Sequence, residues 1–84
     1  MKEKVTLVLY SKPSCHLCEV MKAEIRKADC GELYTLEEVN IENDADLLAR
    51  YRHDIPVLLI DGVEMFRHRL TSEEFSAKLV ESQH

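Results

Sequence analysis

Three signals follow one another without interruption near the start of the chain, and together they restrict the fold more than anything else in it. An apolar, β-branched run, Val5-Thr6-Leu7-Val8-Leu9-Tyr10, leads into a loop, Ser11-Lys12-Pro13-Ser14, and then into a helical period. In that period Leu17, Met21, Ile25 and Ala28 share one face, while Glu19, Lys22, Glu24, Arg26 and Lys27 take the others. The run suits a strand buried on both faces of a mixed sheet. The helix is expected to begin near Cys15 and to stop at Gly31. A strand feeding a helix and then a second strand is a right-handed parallel unit.

The second strand is read over Tyr34 to Ile41. Its apolar positions Tyr34/Leu36 and Val39/Ile41 are out of phase across Glu37-Glu38, so a bulge, or a strand shortened to start near Leu36, is expected. Asn43-Asp44-Ala45-Asp46 has cap chemistry and an acidic first turn, and predicts a short second helix with Leu47, Leu48 and Tyr51 inward. Ile55-Pro56 precedes Val57-Leu58-Leu59-Ile60, and Asp61-Gly62 separates that run from Val63-Glu64-Met65-Phe66, the pattern of a tight hairpin. Thr71 and Glu74 form a capping box, Leu70 and Phe75 a hydrophobic staple, and Leu79/Val80 continue the buried face of a third helix. The order is β-α-β-α-β-β-α: an α/β fold with a four-stranded mixed sheet flanked by helices on both faces. No repeat, linker or low-complexity segment divides residues 1–84, which are read as one domain.

Hydrophobic residues at 45% and charged residues at 32% describe a chain that can bury a core and does not resemble a disordered one. The formal charge of -5, from 16 acidic and 11 basic residues, disfavours nucleic acid as a partner. The basic groupings Lys2/Lys4, Lys22/Arg26/Lys27 and Arg67/Arg69 read as solvated surface. No stretch approaches the roughly 18 to 20 apolar residues of a membrane span, and Met1-Lys2-Glu3-Lys4 does not lead into a signal-peptide core. The expected location is the cytoplasm, without membrane attachment. In such a reducing compartment a close cysteine pair is catalytic or metal-binding more often than structural.

That pair is Cys15 and Cys18, in Cys15-His16-Leu17-Cys18 at the predicted helix start. Residues three apart on a helix share a face, so the two sulfurs can close a short disulfide ring. Unpartnered N–H groups and the positive end of the dipole favour thiolate at Cys15, the candidate nucleophile. Cys18, one turn deeper, is the candidate resolving thiol. A zinc site is a rival, since the pair supplies two ligands and His16 or Cys30 could add to them. So are an iron-sulfur module and a redox-inert adaptor. Cys30 reads as a semi-buried bystander or an accessory thiol, and His53 and His68 as surface residues.

Tyr10-Ser11-Lys12-Pro13-Ser14-Cys15-His16-Leu17-Cys18 resembles the active-site segment of glutaredoxins, and Ile55-Pro56-Val57 resembles the segment that carries the cis-proline of thioredoxin-fold proteins. The resemblance spans essentially the whole chain and is close to small bacterial glutaredoxin-like proteins. It implies a thiol-disulfide oxidoreductase that reduces protein disulfides or glutathione mixed disulfides. The expectation is a monomer that requires no bound cofactor and holds no metal, with glutathione as a possible co-substrate and glutathione or a reductase as electron donor. It further implies that Pro56 is cis and that the Ile55 backbone offers edge hydrogen bonds to an extended peptide or to glutathione. Lys12 matches a lysine that pairs with a glutathione carboxylate, and the N–H groups near Thr71 and Ser72 could take the other carboxylate. Two features depart from the family pattern. His16 stands where proline is common, and Phe66-Arg67-His68-Arg69-Leu70-Thr71 replaces a Gly-Gly turn. Both weaken the case for glutathione, while a cationic His16 would stabilise the Cys15 thiolate.

Overall fold

A strand that is hydrogen-bonded along both edges has no freedom to slide, and β1 (Val5–Ser11) occupies that position. In the computed structural model, which describes residues 4–82, the elements that follow are α1 (His16–Lys27), β2 (Tyr34–Asn40), a 3₁₀ turn (Ile41–Asn43), α2 (Ala45–Tyr51), β3 (Val57–Ile60), β4 (Val63–Arg67) and α3 (Ser72–Glu81). Lys2 and His84 lie outside the described residues. The sheet order is β2-β1-β3-β4, with β1 parallel to β2 and antiparallel to β3, and β3 antiparallel to β4. This is the mixed α/β sheet expected from the sequence. No helix among the described residues is long and apolar enough to cross a membrane.

The main core lies between one face of the sheet and the helices α1 and α3. Val5, Leu7, Leu9, Leu58 and Ile60 from the strands meet Met21 and Ile25 of α1 and Phe75 and Leu79 of α3. Phe75 is completely buried and meets Tyr34 edge to face, with ring centroids 5.8 Å apart. The capping box forms as expected, Thr71 and Glu74 each bonding the other's backbone, and Leu70 is buried beside Phe75 in the staple arrangement. Asp44 caps α2 through bonds from the N–H groups of Asp46 and Leu47. The Asp61-Gly62 turn has both residues at positive φ, 49° and 84°, which matches the twist of the hairpin strands.

Several expectations are corrected. β1 is not buried on both faces: Val5, Leu7 and Leu9 are inside, but Thr6 is exposed and Val8 and Tyr10 are half-buried. The reason is the length of α2, whose 7 residues cover only the Tyr10 end of the second face. On α1 the buried positions are Cys18, Met21 and Ile25, while Leu17 is exposed, so the inner face is rotated by one residue from that predicted at its start. The helix ends at Lys27 with Ala28 as its cap, and Asp29 at φ 55° turns the chain in place of Gly31. β2 runs without a bulge, in continuous register with β1 from Val5↔Tyr34 to Ser11↔Asn40, and Ile41 belongs to the following 3₁₀ turn. The irregularity falls instead between β3 and β4, where Met65 is the extra residue. Val80 is exposed, whereas Leu79 is fully buried.

One polar network ties β1, β2 and α1 together near the end of the sheet that precedes the cysteines. Ser11, only 2% exposed, donates its hydroxyl to Glu38 at 2.8 Å. Lys22 of α1 bonds the same carboxylate at 3.1 Å and pairs with Glu19 at 2.7 Å. The Ser11 hydrogen bond, helped by Lys22, holds the Glu38 carboxyl below its ordinary value, and the two carboxylates raise Lys22.

The packing and this network each carry a measurable consequence. Phe75→Ala removes the largest fully buried side chain and is expected to cost about 3–5 kcal/mol in equilibrium urea unfolding, whereas Val80→Ala stays within about 0.5 kcal/mol. A depressed carboxyl stabilises the native state above its unfolded value near 4.5 and loses that contribution as pH falls through the lower native value. Because Glu38 is substantially exposed, Glu38→Gln should lower stability at pH 7 by less than about 1 kcal/mol. The difference between wild type and variant should shrink as the same unfolding experiment is repeated from pH 6 toward pH 3. A difference that is constant across that range would show that the bond acts without its charge.

Candidate active site

The end of β1 delivers the chain to the cysteines. After Ser11, the exposed residues Lys12, Pro13 and Ser14 make the turn, with Ser14 in the left-handed region at φ 64°. Cys15 then takes an extended conformation and serves as the N-cap of α1. Its sulfur accepts a hydrogen bond from the N–H of Cys18 at 3.2 Å, and its carbonyl accepts the N–H of Glu19 at 3.2 Å. A cysteine sulfur thus fills the capping position that a serine or aspartate oxygen usually fills. Cys15 and Cys18 are joined as a disulfide, with their Cα atoms 5.2 Å apart.

The two sulfurs are not equivalent. Cys15 is half-buried, whereas Cys18 is 1% exposed and belongs to a second apolar cluster with Ile41 and Ile55. Tyr10, Leu47, Leu48 and Tyr51 close that cluster, and the Tyr10 and Tyr51 rings lie 4.9 Å apart. The pairing of Tyr10 with Val57 across β1 and β3 sets the next residues back along the chain, Ile55 and Pro56, beside the dithiol. The Ile55-Pro56 peptide bond is cis. The Pro56 carbonyl accepts the N–H of His68 at 2.8 Å, which ties the segment before β3 to the one after β4.

Of the residues singled out in the sequence, Cys15, Cys18, Ile55 and Pro56 come together. Ile55 offers less than expected, because its N–H is donated to the Tyr51 carbonyl at 3.1 Å, so its carbonyl is the group left for an edge-binding peptide. His16, the first residue of α1, is exposed and makes no side-chain hydrogen bond among the described residues. Lys12 is exposed on the β2 side and lines a shallow depression of about 270 Å³ with Ser11, Lys22 and Glu38. Thr71 and Ser72 lie past β4, and their N–H groups are already engaged: Thr71 with Glu74 at 3.1 Å, Ser72 with Glu24 of α1 at 2.9 Å. An incoming carboxylate would have to displace these internal ones.

Sequence reasoning placed Tyr10 in the segment that resembles an active site but did not connect Ile41 and Tyr51 with the cysteines. Tyr51 stands four residues before Ile55, and that position is the available signal. Cys30 is half-buried, with its thiol 3.3 Å from the Ala28 carbonyl and 3.7 Å from the Ser76 hydroxyl. Among the described residues no group of three or more His, Cys, Asp or Glu side chains is arranged to hold a metal ion.

Comparison with known proteins agrees with this geometry. The family model of the glutaredoxin-like domain (DUF836) matches residues 6–80. A glutaredoxin-like protein of Dictyostelium discoideum, described as a YDR286C homolog, is 27% identical over 78 residues, covering 86% of this chain and 72% of that protein. The solution structure of protein Ne2328 from Nitrosomonas europaea superimposes with a TM-score of 0.76 at 31% identity, covering 93% of this chain and 94% of that one. An X-ray structure of a protein from X. campestris gives 0.77 at 27% identity, covering 89% and 96% of the two chains. A mutant thioredoxin from Halobacterium salinarum, at 11% identity and a TM-score of 0.71 over 98% of this chain and 77% of that one, shares the fold alone. With its disulfide capping α1 and a cis proline beside it, the chain belongs to the glutaredoxin-like (DUF836) family of the thioredoxin fold.

Proposed function

We propose that this protein is a dithiol oxidoreductase that reduces disulfides in protein substrates. The observation that carries the reading is the asymmetry of the pair: a reachable Cys15 whose sulfur is held on the N–H of Cys18, and a buried Cys18 directly behind it. In the reduced form the Cys15 thiolate, favoured by that N–H and by the helix start, attacks one sulfur of the substrate disulfide. A mixed disulfide forms and the first substrate thiolate leaves. Cys18 then loses its proton and attacks the Cys15 sulfur, forming the Cys15–Cys18 disulfide and expelling the second substrate thiolate. The pair gives up two electrons and the substrate gains them. A thiol such as glutathione, or a reductase, returns the pair to the dithiol; the protein acts as a monomer in the cytoplasm and needs no bound cofactor.

One observation weighs toward protein disulfides over glutathione mixed disulfides. The N–H groups of Thr71 and Ser72, expected to take a glutathione carboxylate, carry internal carboxylates. Lys12 and the Ile55 carbonyl remain open to either substrate.

The roles are separable by trapping. Incubated with a disulfide-containing protein, Cys18→Ser is expected to accumulate a mixed disulfide on Cys15, seen by mass spectrometry and reversed by reductant. Cys15→Ser is expected to trap nothing, and both variants should lose multiple turnover. Equal trapping by the two variants would overturn the assignment of attacker and resolver.

A further inference from the structure

The sheet register gathers a set of basic side chains around one side of the dithiol. Tyr10 pairs with Val57 and Val57 with Arg67, so residues 52–56 and 68–71 both lie just past the strand ends at which Cys15 follows. The chain as a whole carries -5, yet these two segments bring Arg52, His53, His68 and Arg69 to the rim, all exposed. Arg67 is a strut, held by Glu64 at 2.6 Å and by Asp54 at 3.4 Å. Arg52 and Arg69 make no ion pair among the described residues. Beyond β2, on the opposite side of the dithiol, Glu42, Asp44 and Asp46 are exposed, and Lys12 is the exposed cation nearest the pair in sequence.

His68 is the unusual member. Its φ is 72°, and the N–H of Arg69 bonds the Arg67 carbonyl at 2.9 Å across it, a tight three-residue turn that glycine enters freely and other residues enter with strain. The bond from its own N–H to Pro56 accounts for the position of the backbone. Nothing in the fold accounts for the imidazole, which is exposed and without a hydrogen-bond partner among the described residues. Strain retained beside a reactive site points to a use for the side chain.

We propose that Arg52, His53, His68 and Arg69 form a docking surface for the disulfide substrate. The substrate it fits has carboxylate side chains next to its half-cystine, in an extended segment that runs from Cys15 past Ile55 toward Arg69. Such a surface raises the rate of encounter and biases the direction of docking, since on the β2 side the exposed Lys12 is offset by Glu42, Asp44 and Asp46. The inference rests on the dithiol reading above and names its substrate class.

Two synthetic disulfide peptides of equal length test it, one with glutamate and the other with glutamine at the positions flanking the cysteine. Wild type is expected to favour the glutamate peptide by about tenfold or more in kcat/KM at low ionic strength, with the preference contracting as salt is raised. Arg52→Glu combined with Arg69→Glu should bring the ratio to one or below. His68→Gly should lower the ratio several-fold while raising the thermal midpoint. Arg26→Glu combined with Lys27→Glu, at the far end of α1, should leave the ratio as in wild type. Equal rates on the two peptides, a preference that survives the Arg52/Arg69 reversal, or an equal loss in the Arg26/Lys27 variant would overturn the proposal. A ratio unmoved by His68→Gly would overturn the part given to His68. Peptides with serine in place of cysteine separate this idea from the chemistry, because NMR shifts at Arg52, His68 and Arg69 with the glutamate form alone are expected even without turnover. Absence of those shifts would sink the docking surface, whereas their presence without any disulfide reduction would sink the dithiol reading instead.

Discussion

The structure depends on the register of β1. Both of its edges are paired, from Val5↔Tyr34 to Ser11↔Asn40 on one side and from Leu7↔Ile60 to Tyr10↔Val57 on the other. A slip of one residue would exchange Val5, Leu7 and Leu9 for Thr6, Val8 and Tyr10 on the face that packs against α1 and α3. It would also move Ser11 away from Glu38 and shift Cys15 along the sheet relative to Pro56. The apolar core and the position of the Cys15 sulfur are therefore fixed by the same set of hydrogen bonds. This is why a site made of residues about forty apart in sequence can be held in one place by a sheet of four short strands.

Within that frame the two cysteines are separated by environment as well as by sequence. Cys15 stands outside the helix proper as its cap, where an anion meets an unpartnered N–H and the solvent. Cys18 is inside, among Ile41, Ile55, Tyr10 and Tyr51, where an anion would lack solvation. Under the proposed mechanism this difference sets the order of events. The half-buried Cys15 sulfur is ready first, and the buried one becomes a nucleophile only when a mixed disulfide is already in contact with it.

Much of this was legible in the sequence because the signals were local. The Asp61-Gly62 turn, the Thr71/Glu74 box, the Asp44 cap and the cysteine spacing each involve residues a few positions apart, and each appears as read. The misreadings share a different cause. β2 is an edge strand whose side chains are mostly exposed, so its apolar residues do not report a buried face and their phase carries no register information. The burial of β1 turns on how far α2 extends, and Leu17 is left outside because the cap geometry at Cys15 rotates Cys18 inward. The state of the Ser72 N–H is set by Glu24, 48 residues earlier, and no local pattern announces such a partner.

The same long-range closure explains how a site on three loops can be stiff. The loop before β3 and the loop after β4 are joined twice, by the His68 N–H on the Pro56 carbonyl and by Arg67 on Asp54, while the Ile55 N–H is anchored on Tyr51. These two segments therefore behave as one unit built on adjacent antiparallel strands. The loop that carries Cys15 is attached differently, through β1 and the Ser11–Glu38–Lys22 network on the far side. The dithiol thus sits at the seam between two independently braced parts. Under the proposed mechanism the bond that opens and closes lies at that seam, while the cis-proline edge is braced by contacts of its own.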